Sequence, residues 1–414
     1  EPLTRRIPMP LSYAQALDLL FPRTTTIKFG LETTTALLQR LGRPQDQFPV
    51  IHVGGTNGKG SVTTLIAAAL AAAGARVGHY TSPHLISFRE RIRVDGAAIS
   101  EAAVAAWTDE LRPLIEGTGA TFFEASTAIA FADFAARGVD IAVVEVGLGG
   151  RLDSTNVVTP LASGVSKIAR DHMKYLGETL EEIAREKAGI AKSGVPFVIG
   201  ETEPHLVEVL EREARSRGGV PVVVAPDERW TGALGLIGGH QRRNAAVARA
   251  ILETLPAGFR PDARAVAVGL AGARLAGRFD RRGKWLFDVA HNLDGMGALV
   301  RALGEERVPH PIHGVVSILG DKDWPEMLVE LDRAVDRGWL TIAPSADRRR
   351  WTIEWLERWL KDPDRPPARA TWHLEPDLRR ALAEAERGAA TVLVTGSFHT
   401  VGDVMLALGM DAGD

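Results

Sequence analysis

The stretch Val-Ile-His-Val-Gly-Gly-Thr-Asn-Gly-Lys-Gly-Ser, residues 50 to 61, limits what this chain can fold into more than any other. Residues 50–53 are mostly apolar and read as a buried strand. Glycines flank Thr56 and Asn57 as a turn, and Ser61 leads into an Ala/Leu-rich run that ends at Gly74. Strand, glycine turn and helix start together make a phosphate cradle. Backbone N–H groups point outward without side-chain obstruction, and the helix dipole favours an anion. Lys59 can then sit against the outer phosphates of a nucleoside triphosphate. The fit to the pattern G-x-x-x-x-G-K-[ST] is imperfect, because Val53 holds the first glycine position and Gly60 separates Lys59 from Ser61. A glycine turn with a chance lysine is the plainer alternative, and the flanking strand and helix argue against it.

A chain of 414 residues exceeds what one hydrophobic core usually serves, so two domains are expected. With 45% hydrophobic and 24% charged residues, it has the composition of an ordinary globular protein. A formal net charge of −3 gives no reason to expect nucleic acid or an acidic membrane as partner. The absence of cysteine excludes disulfides, cysteine nucleophiles and thiolate metal sites, which suits a cytoplasmic location without establishing it. No signal peptide is recognisable, and no apolar run reaches the roughly 18 residues of a membrane helix.

Short amphipathic helices are expected over 11–20 and 31–42, joined by a loop at 27–31. After the phosphate loop, 76–80 reads as a strand ending in Thr81-Ser82-Pro83-His84. Helical runs at 100–116 and 124–136 precede an apolar strand at 141–146, interrupted by Glu145 and followed by the glycine-rich turn 147–153. A strand at 161–168 closes on Arg170-Asp171-His172. A helix over 179–191 carries Lys187, and 195–199 returns as a strand. Helices over about 239–255 and 262–275 lead to polar, turn-like residues 277–284, expected as a hinge between a first domain, 1–276, and a second, 285–414. There, strands at 285–289, 312–319, 339–343, 369–374 and 391–395 alternate with helices at 293–304, 324–335, 352–360 and 376–387. Trp351, Trp355 and Trp359, spaced by four, are expected on one packed helix face. This alternation specifies an α/β fold: a doubly wound, mainly parallel sheet with helices on both faces, followed by a smaller doubly wound domain.

In such sheets ligands gather at the carboxyl ends of strands. Ser82, Glu145 and His172 fall at three such ends, beside the phosphate loop. A hydroxyl, a carboxylate and an imidazole around a phosphate cradle suit a divalent ion, Mg²⁺ first, with the imidazole the least usual of the three ligands. A buried, paired structural carboxylate at Glu145 and a hydrogen-bonded core histidine at His172 are the alternatives. In the second domain Asp288-Val289-Ala290-His291-Asn292, Gly320-Asp321-Lys322-Asp323 and Gly396-Ser397-Phe398-His399 also follow strands. Three polar turns on one edge point to a cleft shared with the first domain.

Taken together and in order, these motifs resemble the folylpolyglutamate synthases and bifunctional dihydrofolate synthase/folylpolyglutamate synthases, ATP-dependent amide-forming enzymes of the Mur-ligase superfamily. The resemblance runs through Lys28-Phe29-Gly30-Leu31-Glu32, the phosphate loop with its inserted Gly60, Thr81 to Leu85, Arg89 to Ile92, Phe123-Glu124 and Glu145 to Asp153. It continues through Asp171-His172, Glu186 to Ile190, His240-Gln241 with Asn244, and Gly277-Arg278. Asp288 with Ala290-His291-Asn292, Asp321-Lys322-Asp323 and Thr395-Gly396-Ser397 complete it. Arg170, Val289 and Leu293 depart from the family's usual residues, which touches loop geometry rather than the reaction.

The resemblance implies a P-loop-containing, Mur-ligase-like first domain, a Rossmann-like second one and a set of roles. Asn57, Gly58, Lys59, Gly60 and Ser61 would hold the ATP phosphates, with Asn244, Arg278 and Asp288 contacting the nucleotide. Ser82, Glu145 and His172 would hold Mg²⁺, and Lys187, carbamylated, would serve a second ion. Lys59, His172, Lys187 and His291 would be the catalytic set. Phe29, Gly30, Thr121, Phe122, Phe123, Glu124, Leu152, Asp153 and Ser154 would border dihydropteroate or a reduced folate. Ser397 and His291 would lie near the incoming L-glutamate. A cytoplasmic monomer with small-molecule partners, and with neither nucleic acid nor membrane, is expected. Narrower alternatives are a folylpolyglutamate synthase alone, or another Mur-type ligase acting on a peptidoglycan precursor. A nucleotide-sensing module is the alternative of a different class, and the second domain's polar turns disfavour it.

Overall fold

Period-two burial along the strands decides how the sheets are covered, and the computed structural model describes residues 10–24 and 26–412. The outermost ends of the two expected domains, 1–9 and 413–414, lie outside the described residues. The first sheet has eight strands: β1 (Val50–Gly54), β2 (Val77–Tyr80), β3 (Ile92–Val94), β4 (Ala97–Ala98), β5 (Ile141–Glu145), β6 (Ala162–Val165), β7 (Pro196–Ile199) and β8 (Val220–Val223). Their spatial order is β4-β3-β2-β5-β1-β6-β7-β8, parallel except for the β2–β3 and β3–β4 pairs. Val50, Tyr80, Ala142 and Val144 join the core around the helix Phe122–Ala136. Ile51, Val53, Val77, Ile141 and Val143 pack on the other face, against helices Lys59–Ala72 and Gly239–Glu253. Strands buried on both faces read as unbroken apolar runs, as residues 50–53 and 141–144 do. Each large side chain so buried contributes about 1.5–3 kcal/mol, which makes slippage of β1 or β5 expensive.

The second sheet contains β9 (Asp280–Arg282), β10 (Trp285–Phe287), β11 (Ile312–Val316), β12 (Arg337–Leu340), β13 (Thr371–Leu374) and β14 (Thr391–Thr395). Its order is β13-β12-β11-β14-β10-β9, with only β9 antiparallel to its neighbour. Leu286, Val316 and Leu393 pack with helices Leu293–Glu305 and Trp324–Leu331; Phe287, Val315 and Val394 pack with helices Leu378–Ala385 and Phe398–Ala407. The α/β class, with two doubly wound sheets, is the one expected.

Three local expectations differ. Asp280–Arg282, read as part of a turn, forms β9, and a short charged strand suits a sheet edge whose outer backbone groups meet water. The segment after residue 199 contributes a helix, Pro204–Ser216, and edge strand β8, neither of which was expected. The three tryptophans do not share a face: Trp351 precedes the helix Ile353–Lys361, and Trp355 is 42% exposed. Trp351 and Trp359 instead meet Trp324 edge-on, at 5.9 and 6.4 Å between ring centres. Among the described residues, no helix is long and apolar enough to cross a membrane.

Candidate active site between the two sheets

Strand register positions the polar residues of the first lobe. β1 pairs Val53 with Glu145 and Gly54 with Val165, so the phosphate loop, the Glu145 carboxylate and the Ser166-Lys167 turn emerge side by side. β2 pairs Tyr80 with Val144, which brings Ser82 to the same edge, where its N–H donates to Glu145 Oε2 at 3.1 Å. The loop is pinned by its backbone: Thr56 N–H donates to Lys167 O at 2.6 Å, and Ser166 Oγ donates to Asn57 O at 2.7 Å. Gly55 and Gly58 adopt φ of +133° and +91°, and a Cβ would sit 2.0 Å from Ser166 Oγ and 2.6 Å from Asn244 Oδ1 respectively. Neither position tolerates a side chain. Gly58 caps the helix Lys59–Ala72 without any side-chain hydrogen bond, so the first N–H groups of that helix remain for an anion. Lys59 Nζ donates to Thr56 O at 3.1 Å.

Three ionisable groups gather around Lys59. Glu145 is 4% exposed, and burial raises its pKa against the pull of Lys59, the Ser82 N–H, Arg278 and Arg91. Lys187, buried near the end of helix Leu180–Ala188, donates to Gly55 O at 2.9 Å. Burial, then the Lys59 charge, lowers its pKa to about 7, so near neutrality much of it is a free amine. His172 stands in the left-handed region at φ +52°, with its side chain 39% exposed. Desolvation lowers its pKa, opposed by Asp171 and assisted by Lys322, His291 and Lys59.

This donor set fits a divalent ion. Glu145 has one backbone hydrogen bond and forms no ion pair with a described residue, which leaves coordination capacity on a buried carboxylate. Among the described residues no three His, Asp or Glu side chains are grouped as a metal cage, so an ion at Glu145 would need other oxygens to complete its shell.

The second lobe presents its own strand ends. β10 pairs Phe287 with Val394, and Asp288, the loop 289–292 and Gly396-Ser397 leave that sheet together. Asp288 accepts from Phe279 N–H and Ala290 N–H, each at 2.9 Å. Burial raises its pKa, with Arg278 and His240 opposing. The Arg278 guanidinium lies 4.8 Å from the Phe398 ring centre. His291 Nδ1 is 2.9 Å from Val289 O, and its Nε2 is 3.5 Å from Asp171 Oδ2.

Polar contacts join the lobes at the phosphate loop itself. Asn57 and Asn292 exchange side-chain amide hydrogen bonds at 3.1 and 3.0 Å. Asn57 also donates to Asp294 Oδ2 at 2.7 Å, and Lys167 pairs with Asp294 at 2.7 Å. Asp171 pairs with Lys322 and accepts from Asn292 Nδ2 at 3.2 Å.

Of the residues expected around ATP and metal, Lys59, Ser82, Glu145, Lys187 and Asn244 gather at the loop, with His172 at its rim and Arg278, Asp288 and His291 opposite. The residues expected around the acid are more varied. Phe29, 48% exposed, faces Tyr175 at 6.2 Å beside Gly30. Phe123 lies 6.0 Å from Tyr80, and a Cβ at Gly147 would strike its ring at 2.3 Å. Phe122 is packed between Phe21 and Arg91. Thr121 and Glu124 form a reciprocal capping box. Asp153 accepts from Leu148 and Thr155 and starts the short helix that includes Ser154, with Leu152 just before it. The Ser397 hydroxyl caps the helix Phe398–Ala407 and donates to Ser317 O at 3.2 Å. Such caps contribute about 1 kcal/mol each to their helices, a use independent of any substrate. Sequence reasoning assigned no role to Lys167, Asp171, Asn292, Asp294 or Lys322. Asp171, Asn292 and Lys322 at least lay in the motifs, whereas Lys167 fell inside an expected strand and Asp294 near the start of an expected helix, with no further signal.

Comparison with known proteins accords with this geometry. The Mur ligase middle domain matches residues 53–216, and the Mur ligase glutamate ligase domain matches residues 277–398. A Haloferax volcanii protein described as a probable bifunctional folylpolyglutamate synthase/dihydropteroate synthase is 36% identical over 77% of this chain, which spans 42% of that protein's length. The Bacillus subtilis dihydrofolate synthase/folylpolyglutamate synthase is 34% identical, over 91% of this chain and 94% of the relative. The solved Escherichia coli FolC in complex with DHPP and ADP has a TM-score of 0.86 at 32% identity, covering 96% of this chain and 98% of that one.

Proposed function

This chain belongs to the dihydrofolate synthase/folylpolyglutamate synthase family of Mur ligases, and we propose that it is an ATP-dependent ligase that adds L-glutamate to dihydropteroate, to reduced folates, or to both. The observation that carries this reading is the register of β1 and β5, which sets a buried carboxylate beside a glycine phosphate loop, with a second lobe closing over both. A carboxylate is a poor acyl donor. Transfer of the γ-phosphoryl group of ATP to the acid gives an acyl phosphate and ADP; attack by the glutamate amine then expels phosphate and leaves an amide. Phosphoryl transfer between anions needs charge neutralisation and in-line placement more than covalent help.

Asn57 to Ser61 cradle the phosphates with backbone N–H groups, and Lys59 moves from Thr56 O onto the outer phosphates. Arg278 and Asp288, with Asn244, hold the nucleotide from the hinge side. Ser82, Glu145 and His172 would hold Mg²⁺, which when bound neutralises phosphate oxygens. Lys187, whose pKa is lowered to about 7 so that a substantial share is free amine near neutrality, would take up CO₂ and present a carbamate to a second ion. His291 steers the amine proton, and Phe29, Phe123 and Asp153 border the pterin-bearing acid. Residues 277–284 act as the hinge between units 1–276 and 285–414.

The test is a ligation assay with radiolabelled glutamate, ATP and, in separate reactions, dihydropteroate, tetrahydrofolate and a UDP-muramoyl acceptor. Glutamylated pterin product with stoichiometric phosphate release supports the proposal. Incorporation only into the UDP-muramoyl acceptor, or none at all, overturns it.

A further inference from the structure

We propose that Asp171 is the positioning residue of the ligation step, a first-lobe carboxylate that sets where His291 and Lys322 of the second lobe stand over the phosphate loop. The inference rests on the ligase reading above and deepens it. Asp171 follows β6, and its side chain is only 7% exposed. Oδ1 accepts the His172 N–H at 2.8 Å and pairs with the Lys322 ammonium, itself 9% exposed. Oδ2 accepts from Asn292 Nδ2 at 3.2 Å and faces His291 Nε2 at 3.5 Å. The second-lobe partners come from two separate loops, one after β10 and one after β11. One carboxylate therefore fixes two loops at once.

The geometry leaves His291 little freedom. Its Nδ1 is engaged with Val289 O, so Nε2 is the atom left to work with, and Asp171 determines where that atom stands. Asn292 passes the same constraint to the phosphate loop through its paired amide with Asn57. The buried Lys322 ammonium has Asp171 as its ion-pair partner. Without Asp171, Lys322 loses its counter-charge and His291 its orientation, while the glycine loop keeps its own anchors, the Thr56 N–H to Lys167 O and Ser166 Oγ to Asn57 O bonds. A misplacement near 1 Å in such a constellation costs about 100-fold in turnover.

The test uses Asp171→Asn, Asp171→Glu, Lys322→Met and the Asp171→Asn/Lys322→Met pair in the full chain, with activity expressed per folded molecule. Asp171→Asn is expected to lower kcat about 100-fold while the KM for ATP changes little, with partial recovery in Asp171→Glu. The double variant is expected to be no worse than the weaker single variant within about twofold, because the two residues act as one unit. Unchanged kcat per folded molecule, or losses that multiply, overturn the inference. If Asp171→Asn does not fold, Lys322→Met carries the same expectation. Spin labels on Glu208→Cys and Ala383→Cys, both exposed in a chain without native cysteine, give a second readout that does not require turnover. With an ATP analogue bound, one narrow inter-lobe distance is expected, broadened by Asp171→Asn. An unbroadened distribution overturns the inference even if the wild-type chain ligates no glutamate, whereas inactivity of the wild type bears only on the ligase reading.

Discussion

At the scale of single residues, Lys59 and Lys187 are chemically different lysines made so by their surroundings. Lys59 rests on a backbone carbonyl of its own loop and is free to exchange it for phosphate. Lys59→Ala is expected to lower turnover at least about 100-fold, the scale of one preorganised transition-state contact, in steady-state assays at saturating ATP. Lys187 is buried and held near pKa 7 instead of 10.5, so its reactive amine form disappears as pH falls through about 7 and persists above it. With ¹³C-bicarbonate, a carbamate carbon signal is expected in the wild type, weakening below pH 7 and missing in Lys187→Arg. The Lys59 signal was legible because glycines, a lysine and a serine stand between an apolar strand and a helix start, even with Gly60 inserted. Asp171 was not, because its weight comes from partners more than a hundred residues away, Asn292 and Lys322, and no local pattern encodes them.

At the scale of elements, β1 and β2 carry histidines on the central part of the first sheet, His52 buried and His79 half-buried. His52 bonds to Thr155 Oγ1 at 2.8 Å, and burial, then Lys192, lowers its pKa to about 3. His79 is lowered to about 3 by burial, then Arg93. Between the unfolded value of 6.5 and about 3, the unfolded chain binds more protons than the native one. These strands therefore stabilise fully above pH 6.5 and progressively less as pH falls toward 3, by up to about 1.4 kcal/mol per pH unit for each histidine. Urea titrations from pH 7 to 5 are expected to show that slope, and His52→Gln/His79→Gln to flatten it. Central strands were legible as apolar runs because both their faces are buried. Edge strands were harder: β9 is three charged or polar residues whose strand character comes only from pairing with β10, a contact distant from any hydrophobic period.

At the scale of the whole molecule, two lobes meet through polar side chains at the phosphate loop and through Leu85 and Ile86 of the first lobe, which pack on the second lobe's core. Gly277 takes φ +67°, and a Cβ there would sit 3.0 Å from Val289 Cγ1 and 3.4 Å from Leu85 Cδ1. Gly277→Ala is expected to lose about 1–2 kcal/mol in denaturant titrations for the left-handed backbone alone, with kcat falling as the lobes no longer close cleanly. The two-sheet architecture followed from the strand–helix alternation, whereas the way the sheets face each other depends on Asn57, Lys167 and Asp171 finding partners across the gap. Two of those contacts differ in their response to salt. The Lys167–Asp294 pair is partly solvent-exposed and carries charge, so concentrated electrolyte, with its Debye length of about 3 Å at 1 M, attenuates it. The Asn57–Asn292 amides are uncharged, so ions leave their mutual alignment almost unaffected. A brine-tolerant clasp beside a brine-sensitive one means that rising salinity loosens the grip between the halves while preserving the angle at which they meet.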